Sequence, residues 1–287
     1  MGEQWEKSSL RRCCKARAVG TLRVAQALES RPSTIHSVQL VPNLNNERVY
    51  AVIGDVHAHM TYLEQVCAEL ATQSLTAVLL VGDIGTPALG YQRNRTQTKD
   101  AAYLDSVACV LQRVRALGAP VVWVPGNHDL PTFPEDAVFE GNIDGRVVSV
   151  AGVRIAGFGG AGPGIFGFPY EWTDEEAAVR GVPACELLLA HAPPAATTLD
   201  RLWDGRRHVG SVYLRRWLDT HTGAFACGHI HEAGGVELVD AAACVNAGGL
   251  GLPYGKPQVG YLRLQAGRWR AEHHHLSTGQ RMHVQQI

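Results

Sequence analysis

The chain has 287 residues, 46% of them hydrophobic and 18% charged, with a formal net charge of −1, a size that admits one large domain or two small ones. That balance leaves no global field to recruit nucleic acid or an anionic membrane. No apolar run approaches the roughly 18–20 residues of a membrane-spanning helix, and the N-terminus carries no apolar core of the secretory kind.

Residues 1–47 are rich in basic side chains, and no later motif depends on them. LRVAQALES at 22–30 can form a short helix, but the segment is expected to be a poorly ordered extension. A mitochondrial presequence is the sharper alternative, from Arg11, Arg12, Lys15, Arg17 and Arg23, with Glu3, Glu6 and Trp5 against it. From residue 48 the pattern alternates: strand 49–53, helix 60–73 with Leu63, Val66, Cys67 and Leu70 on one face, strand 77–81, helix 98–117 ending at Gly118, and strand 120–124. Two right-handed parallel crossovers follow from that order. The second half shows strands at 147–150, 153–158 and 186–190, a helix at 210–219, and strands at 224–227, 235–239, 242–246, 259–264 and 268–272. The last four are short and turn-bounded, which favours antiparallel pairing. No internal repeat and no Pro- or Ser-rich linker divides the chain. The expected fold is α/β: one domain over 48–275, with two mixed β-sheets packed face to face and helices outside, and 276–287 as a C-terminal tail. The seven Cys form no CxxC pair, which argues against a zinc ribbon. Cys109, Cys185, Cys227 and Cys244 lie in apolar segments and read as reduced thiols of a cytoplasmic protein.

Five short segments share one chemistry: GDVHAH at 54–59, GDIG at 82–85, GNHD at 126–129, AHAPP at 190–194 and CGHIHE at 227–232. Four of them follow apolar, β-branched runs that read as buried parallel strands. Side chains just beyond such strand ends converge at one edge of a sheet. Carboxylate oxygen and imidazole nitrogen in that mixture suit Mn, Zn or Fe. Asp55 and His57 can reach one ion if the chain turns between them, and Asp83 is the natural bridging carboxylate. Asn127 offers a neutral oxygen, His191 follows a fourth strand, and His229 and His231 can serve opposite ions. Each segment alone has an ordinary structural explanation, such as a strand-end turn or a hydrogen-bonded core-edge His. Five in one chain do not.

The set resembles the calcineurin-like metallophosphoesterase superfamily, whose pattern is DxH, GD, GNH[DE], H and GHxH in that order, and the match spans roughly 48–250. HAPP at 191–194, Asp200, HVGS at 208–211 and GHIHE at 228–232 resemble a branch grouped with class III phosphodiesterases; where that branch usually has NPG, this chain has Asn246-Ala247-Gly248. GDIGTPALG and GNHD depart from the serine/threonine protein phosphatase blocks. The resemblance implies a four-layer sandwich and two divalent ions per chain, with Mn expected to serve in vitro. One ion would be held by Asp55, His57, Asp83 and His231, the other by Asp83, Asn127, His191 and His229. It leaves His128 beside the phosphoryl group, with Asp129 to orient or polarise it. The implied reaction is in-line attack by metal-activated hydroxide on a phosphodiester or phosphomonoester of a nucleotide or other small molecule, with His128 donating a proton to the leaving oxygen. Asn127 and the ions would stabilise the equatorial oxygens.

Three further features bear on substrate. The loop GFGGAGPGIFGFPYEW at 157–172 offers Phe166, Phe168, Tyr170 and Trp172, either as a wall that stacks a base or as a cover for the core. Arg93, Arg95 and Lys99 can steer a phosphate or form a solvated helix entry. His208 is a candidate substrate contact, although it also precedes Ser211, a good helix cap. The run His273–His275 reads as lying after the last strand. Other readings are a nuclease, disfavoured by the missing basic stripe, a protein phosphatase, and a scaffold without turnover, disfavoured by the complete ligand set. The expected partner is a small-molecule phosphoester, with neither membrane nor nucleic acid.

Overall fold

Strands covered on both faces need apolar side chains at every position, and the central strands here have them. In β1 (Arg48–Ile53), Val49, Ala51 and Ile53 face one hydrophobic core while Tyr50 and Val52 face another. β2 (Ala77–Leu80) divides in the same way, with Val78 and Leu80 opposite Ala77 and Leu79. These strands belong to a computed structural model that describes residues 47–86 and 97–286. The helix expected at 22–30, the extension to residue 46, and Arg93 and Arg95 lie outside the described residues, as does the Lys99 side chain.

The first sheet has the strand order β12-β11-β10-β1-β2-β3, with β3 at Val121–Trp123, β10 at Gln258–Gln265, β11 at Arg268–His275 and β12 at Gln280–Gln285. β1, β2 and β3 run parallel, while β10 pairs antiparallel with β1 in register Ala51↔Tyr261. The second sheet is ordered β4-β5-β6-β7-β9-β8. Its strands are β4 (Val147–Val150), β5 (Val153–Phe158), β6 (Leu187–Ala190), β7 (Ala224–Cys227), β8 (Gly235–Val239) and β9 (Ala242–Asn246). β5, β6, β7 and β9 are parallel, flanked by antiparallel β4 and β8.

The two sheets pack face to face through Val52, Leu79 and Val124 on one side and Ile155, Leu189 and Val245 on the other. Helices α1 (Met60–Leu70) and α2 (Gln97–Arg115) cover the first sheet, burying Leu63, Val66, Val107 and Leu111. Helices α3 (Asp174–Arg180) and α4 (Val212–Leu218) cover the second, with Ala177, Leu214 and Leu218 against Phe158 and Phe225. The expected four-layer α/β sandwich is therefore the fold. Among the described residues, no helix is long and apolar enough to cross a membrane.

Three local expectations are corrected. The expected tail at 276–287 is, through residue 286, part of the sheet: β12 pairs with β11 from Arg270↔Gln285 to His275↔Gln280, and the Gln286 amide donates to the Thr222, Gly223 and Ala241 carbonyls of the second sheet's loops. The chain thus stitches the two sheets together through its last described residues. His273, His274 and His275 lie within β11, because that strand runs three residues further than its apolar pattern suggests. Helix α3 stands where the sequence reading has no element; Thr173 and Glu176 cap its start reciprocally, each side chain bonding the other's backbone N–H.

Candidate metal centre

The loops after β1 and β2 are held together by their own backbones. Asp55 donates to the Gly82 carbonyl at 3.1 Å, His57 to Asp83 at 2.8 Å and Ala58 to Ile84 at 3.0 Å. This pairing forces sharp turns at the strand ends. Asp55, His57, Asp83 and His229 all sit at positive φ, 48°, 45°, 51° and 68°. That conformation costs a non-glycine residue on the order of 1–3 kcal/mol and persists only where surrounding contacts impose it. The turns also need space. A Cβ at Gly126 would run into the Asp83 carboxylate, and one at Gly228 into that of Asp55.

The side chains carried by these turns converge. The ligand atoms of Asp55, His57 and His231 all lie within 4.8 Å of one another, and so do those of Asp55, Asp83 and His191. Asp83 Oδ2 is 3.6 Å from His57 Nε2 and 3.7 Å from His191 Nε2, so it spans the two groups. Asn127 Oδ1 lies 2.9 Å from His191 Nε2 and 3.1 Å from His229 Nδ1. All seven residues singled out as metal ligands are thus brought together. Asp55 reaches further than expected, belonging to both groups, and its carboxylate also accepts the His229 N–H at 2.9 Å.

The hydrogen-bond geometry of the histidines favours a cation. His191 Nδ1 lies 2.7 Å from the Val81 carbonyl, which can only accept, so Nδ1 carries the hydrogen and the neutral ring turns a lone pair toward Asn127 and Asp83. His231 is oriented likewise: Nδ1–H donates to the Pro253 carbonyl at 2.8 Å, and Nε2 faces Asp55 Oδ1 and His57 Nε2, both at 3.3 Å. Acceptors that face acceptors repel unless a proton or a metal ion lies between them. The donor set therefore fits divalent metal.

Electrostatics divide the set into groups free to ligate and groups that must first shed a proton. Burial drives His57 down to about 3 and His229 to about 3, so both are neutral and ready to ligate at neutral pH. Burial lowers His191 too. Burial pushes the Asp83 carboxyl up to about 8, with the Asp129 and Asp55 charges adding to it. Burial also acts on Asp55 and His231 but is outweighed by their mutual attraction. Asp55 is held well below the usual carboxylate range and His231 is lifted to about 9.

His128 stands at the rim. Its backbone N–H donates to Asp83 Oδ1 at 2.9 Å, its Nε2 lies 4.0 Å from Asp83 Oδ2, and its ring packs against Phe168 with centroids 4.0 Å apart. Asp129 takes a different place from the one expected. Its carboxylate accepts from the Ile84 and Gly126 N–H groups, the latter at 2.8 Å, and from the Tyr103 hydroxyl at 2.5 Å. It braces two ligand-bearing loops against α2 rather than orienting His128. Tyr170 is also corrected: its hydroxyl donates to Asp144 Oδ2 at 2.6 Å and accepts from Arg180, a network that fixes the loop's base. Trp172 is buried, with its indole N–H on the Gly159 carbonyl. Phe166 and His208, in contrast, line one cavity that also reaches His229.

Two residues given no role by the sequence position the centre. The buried Asn246 amide donates to the Leu199, Gly228 and Ile230 carbonyls, fixing the start of the loop that carries His229 and His231. Its place in Asn246-Ala247-Gly248 was the available signal. Ala247 donates its N–H to the Cys227 carbonyl at 2.9 Å, a bond that a proline in this position would lack. Gln258, on β10, donates to the Gly249 carbonyl at 3.0 Å and approaches that of His231; no sequence pattern marks it.

A family profile described as calcineurin-like phosphoesterase matches residues 49–233. The chain is 31% identical over 136 residues to the uncharacterized protein MJ1162 of Methanocaldococcus jannaschii, covering 44% of this chain and 62% of that relative's length. A solved crystal structure shares the fold at a TM-score of 0.62 and 15% identity, over 84% of this chain and 100% of its own. TT1561 of Thermus thermophilus aligns over 83% of this chain and 99% of its own, at 15% identity and a TM-score of 0.49.

Proposed function

The chain belongs to the calcineurin-like phosphoesterase family, and from that membership and the convergence of its electron-pair donors we propose that it is a metal-dependent phosphoesterase with two divalent ions, hydrolysing a small-molecule phosphodiester or phosphomonoester. The observation that carries this reading is the pair of ligand groups sharing Asp55, with Asp83 reaching into both. Asp55, His57, Asp83 and His231 would hold one ion, and Asp83, Asn127, His191 and His229 the other. Ions so held would lower the pKa of bound water and polarise a phosphoryl oxygen, and Mn, Fe and Zn all suit this donor set.

The protein's own groups do the rest. The neutral His57 and His229 leave their lone pairs free for ligation rather than for protons. The carbonyls of Val81 and Pro253 fix the tautomers of His191 and His231, so that the ligating nitrogens point inward. His128, partly exposed and off the ligand set, can reach an ester oxygen and donate its Nε2 proton to the departing alkoxide. Phe168 packs on that ring and holds its orientation.

The test is metal analysis and turnover together. After reconstitution with Mn²⁺, about two ions per chain and hydrolysis of bis(4-nitrophenyl) phosphate, abolished by chelation, are expected. Trace metal alone would sink the proposal.

A further inference from the structure

Beside the ligand cluster opens a cavity of about 690 Å³, within the usual size of small-molecule sites. His229 of the ligand cluster lines it, and Pro163, Phe166, Leu202, Val209 and Ile230 form apolar walls. Phe166 is 54% exposed and lines the cavity. Among the described residues, no Lys or Arg lines the cavity, whereas Asp174 and Glu175 do. The Asp174 carboxylate is engaged by the Ser211 hydroxyl at 2.6 Å and by the Tyr213 N–H at 3.1 Å. A second phosphate would thus meet carboxylates and no Lys or Arg, so the cavity disfavours an anion, and its apolar walls favour an uncharged group.

One polar side chain in this wall is held as if for a task. His208 Nδ1 lies 2.6 Å from Asp200 Oδ1. Asp200 is fully buried, and its carboxylate also accepts the N–H groups of Ala196, Thr197 and Gly210 at 3.0–3.1 Å. With Nδ1–H committed to that carboxylate, His208 leaves Nε2 open to a ligand, an acceptor in the imidazole form. What it can recognise is a hydroxyl or N–H donor.

We propose that this cavity seats the uncharged alcohol of the ester, a flat aromatic group bearing a hydroxyl of the nucleoside kind, and that His208, held by Asp200, determines specificity by accepting that hydroxyl's hydrogen bond. This rests on the phosphoesterase reading above. Phe166 supplies the stacking face, and Asp200 is a positioning residue that acts through His208.

Two esters with the same leaving group isolate the effect. Thymidine 5′-(4-nitrophenyl phosphate) carries a hydroxylated nucleoside; bis(4-nitrophenyl) phosphate carries a flat group without a donor. In the Mn²⁺-loaded enzyme, His208→Ala should cut the ratio of kcat/KM for the thymidine ester over the aryl ester about tenfold, through KM rather than kcat. His208→Gln, which keeps an acceptor, should recover part of that ratio. Equilibrium dialysis of free thymidine against the metal-free protein gives a readout without turnover, and binding should weaken in His208→Ala. An unchanged ratio with unchanged thymidine binding would overturn the inference while leaving the phosphoesterase reading intact. A Mn²⁺-loaded wild type that hydrolyses neither of these diesters nor 4-nitrophenyl phosphate would overturn both.

Discussion

His128 and the ligands around it differ in what their loss should do. The His128 ring comes no nearer to the Asp83 carboxylate than 4.0 Å and belongs to neither ligand group, and His128→Ala retains the backbone N–H that donates to Asp83, so it should keep its metal content. Its rate should fall roughly 10²–10⁴-fold, the range for a positioned acid, and fall less for nitrophenyl than for alkyl esters. Equal losses on both ester types would count against proton donation. The ligands themselves carry a pH signature. Asp83, raised to about 8, and His231, raised to about 9, both hold protons at neutral pH in the metal-free protein. An ion must expel them, so binding should release protons and affinity should rise as pH climbs from about 6 to 9. Calorimetry in buffers of different ionisation enthalpy would detect the release; an affinity flat across that range would contradict the assignment.

At the scale of elements, β12 is the informative case. Met282 and Val284 alternate with Arg281 and His283, and Val284 packs on the inter-sheet core. Removing residues 280–287 would expose that surface, unpair the edge of β11, and break the Gln286 bonds to the second sheet. A loss of about 2 kcal/mol or more is expected, with aggregation through the open edge. Thermal melts and light scattering would show both; an unchanged melt would mean that the strand contributes nothing. The alternation that predicts β12 is present in the sequence, as is the Thr173/Glu176 pattern that begins α3; both are short signals beside long apolar runs. The central strands were readable because burial on two faces leaves no polar position to blur them, and each ligand follows such a run directly. What the sequence could not show was direction over distance. Asp129 and Tyr170 have suitable chemistry, but their partners, Tyr103 and Asp144, lie 26 residues away in each case and are chosen by packing between elements. The Ala247 N–H bond and the grip of Gln258 likewise exist only between strands.

For the whole molecule, the proposed ligands bridge the sandwich. Asp55, His57, Asp83 and Asn127 follow strands of the first sheet, whereas His191, His229 and His231 follow strands of the second. An ion held between them ties the sheets as a crosslink would. At 100 times its dissociation constant, such a ligand adds about 2.7 kcal/mol to stability, and stripping it should lower Tm by roughly 5–10 °C in a domain of this size. Scanning fluorimetry with a chelator and then with Mn²⁺ measures this; melts that coincide would mean that the ions do not span the interface. The place of β10 at the centre of the first sheet, between β1 and β11, has a consequence for biosynthesis. A nascent chain that has emerged as far as His231 already contains every ligand. It still lacks the strand that flanks Asp55's own β1 and the Pro253 carbonyl that aims His231. A ribosome halted there holds a polypeptide with the full metal-binding vocabulary and no grammar to arrange it, so loading of the proposed ions would follow the synthesis of β10 rather than accompany that of the motifs.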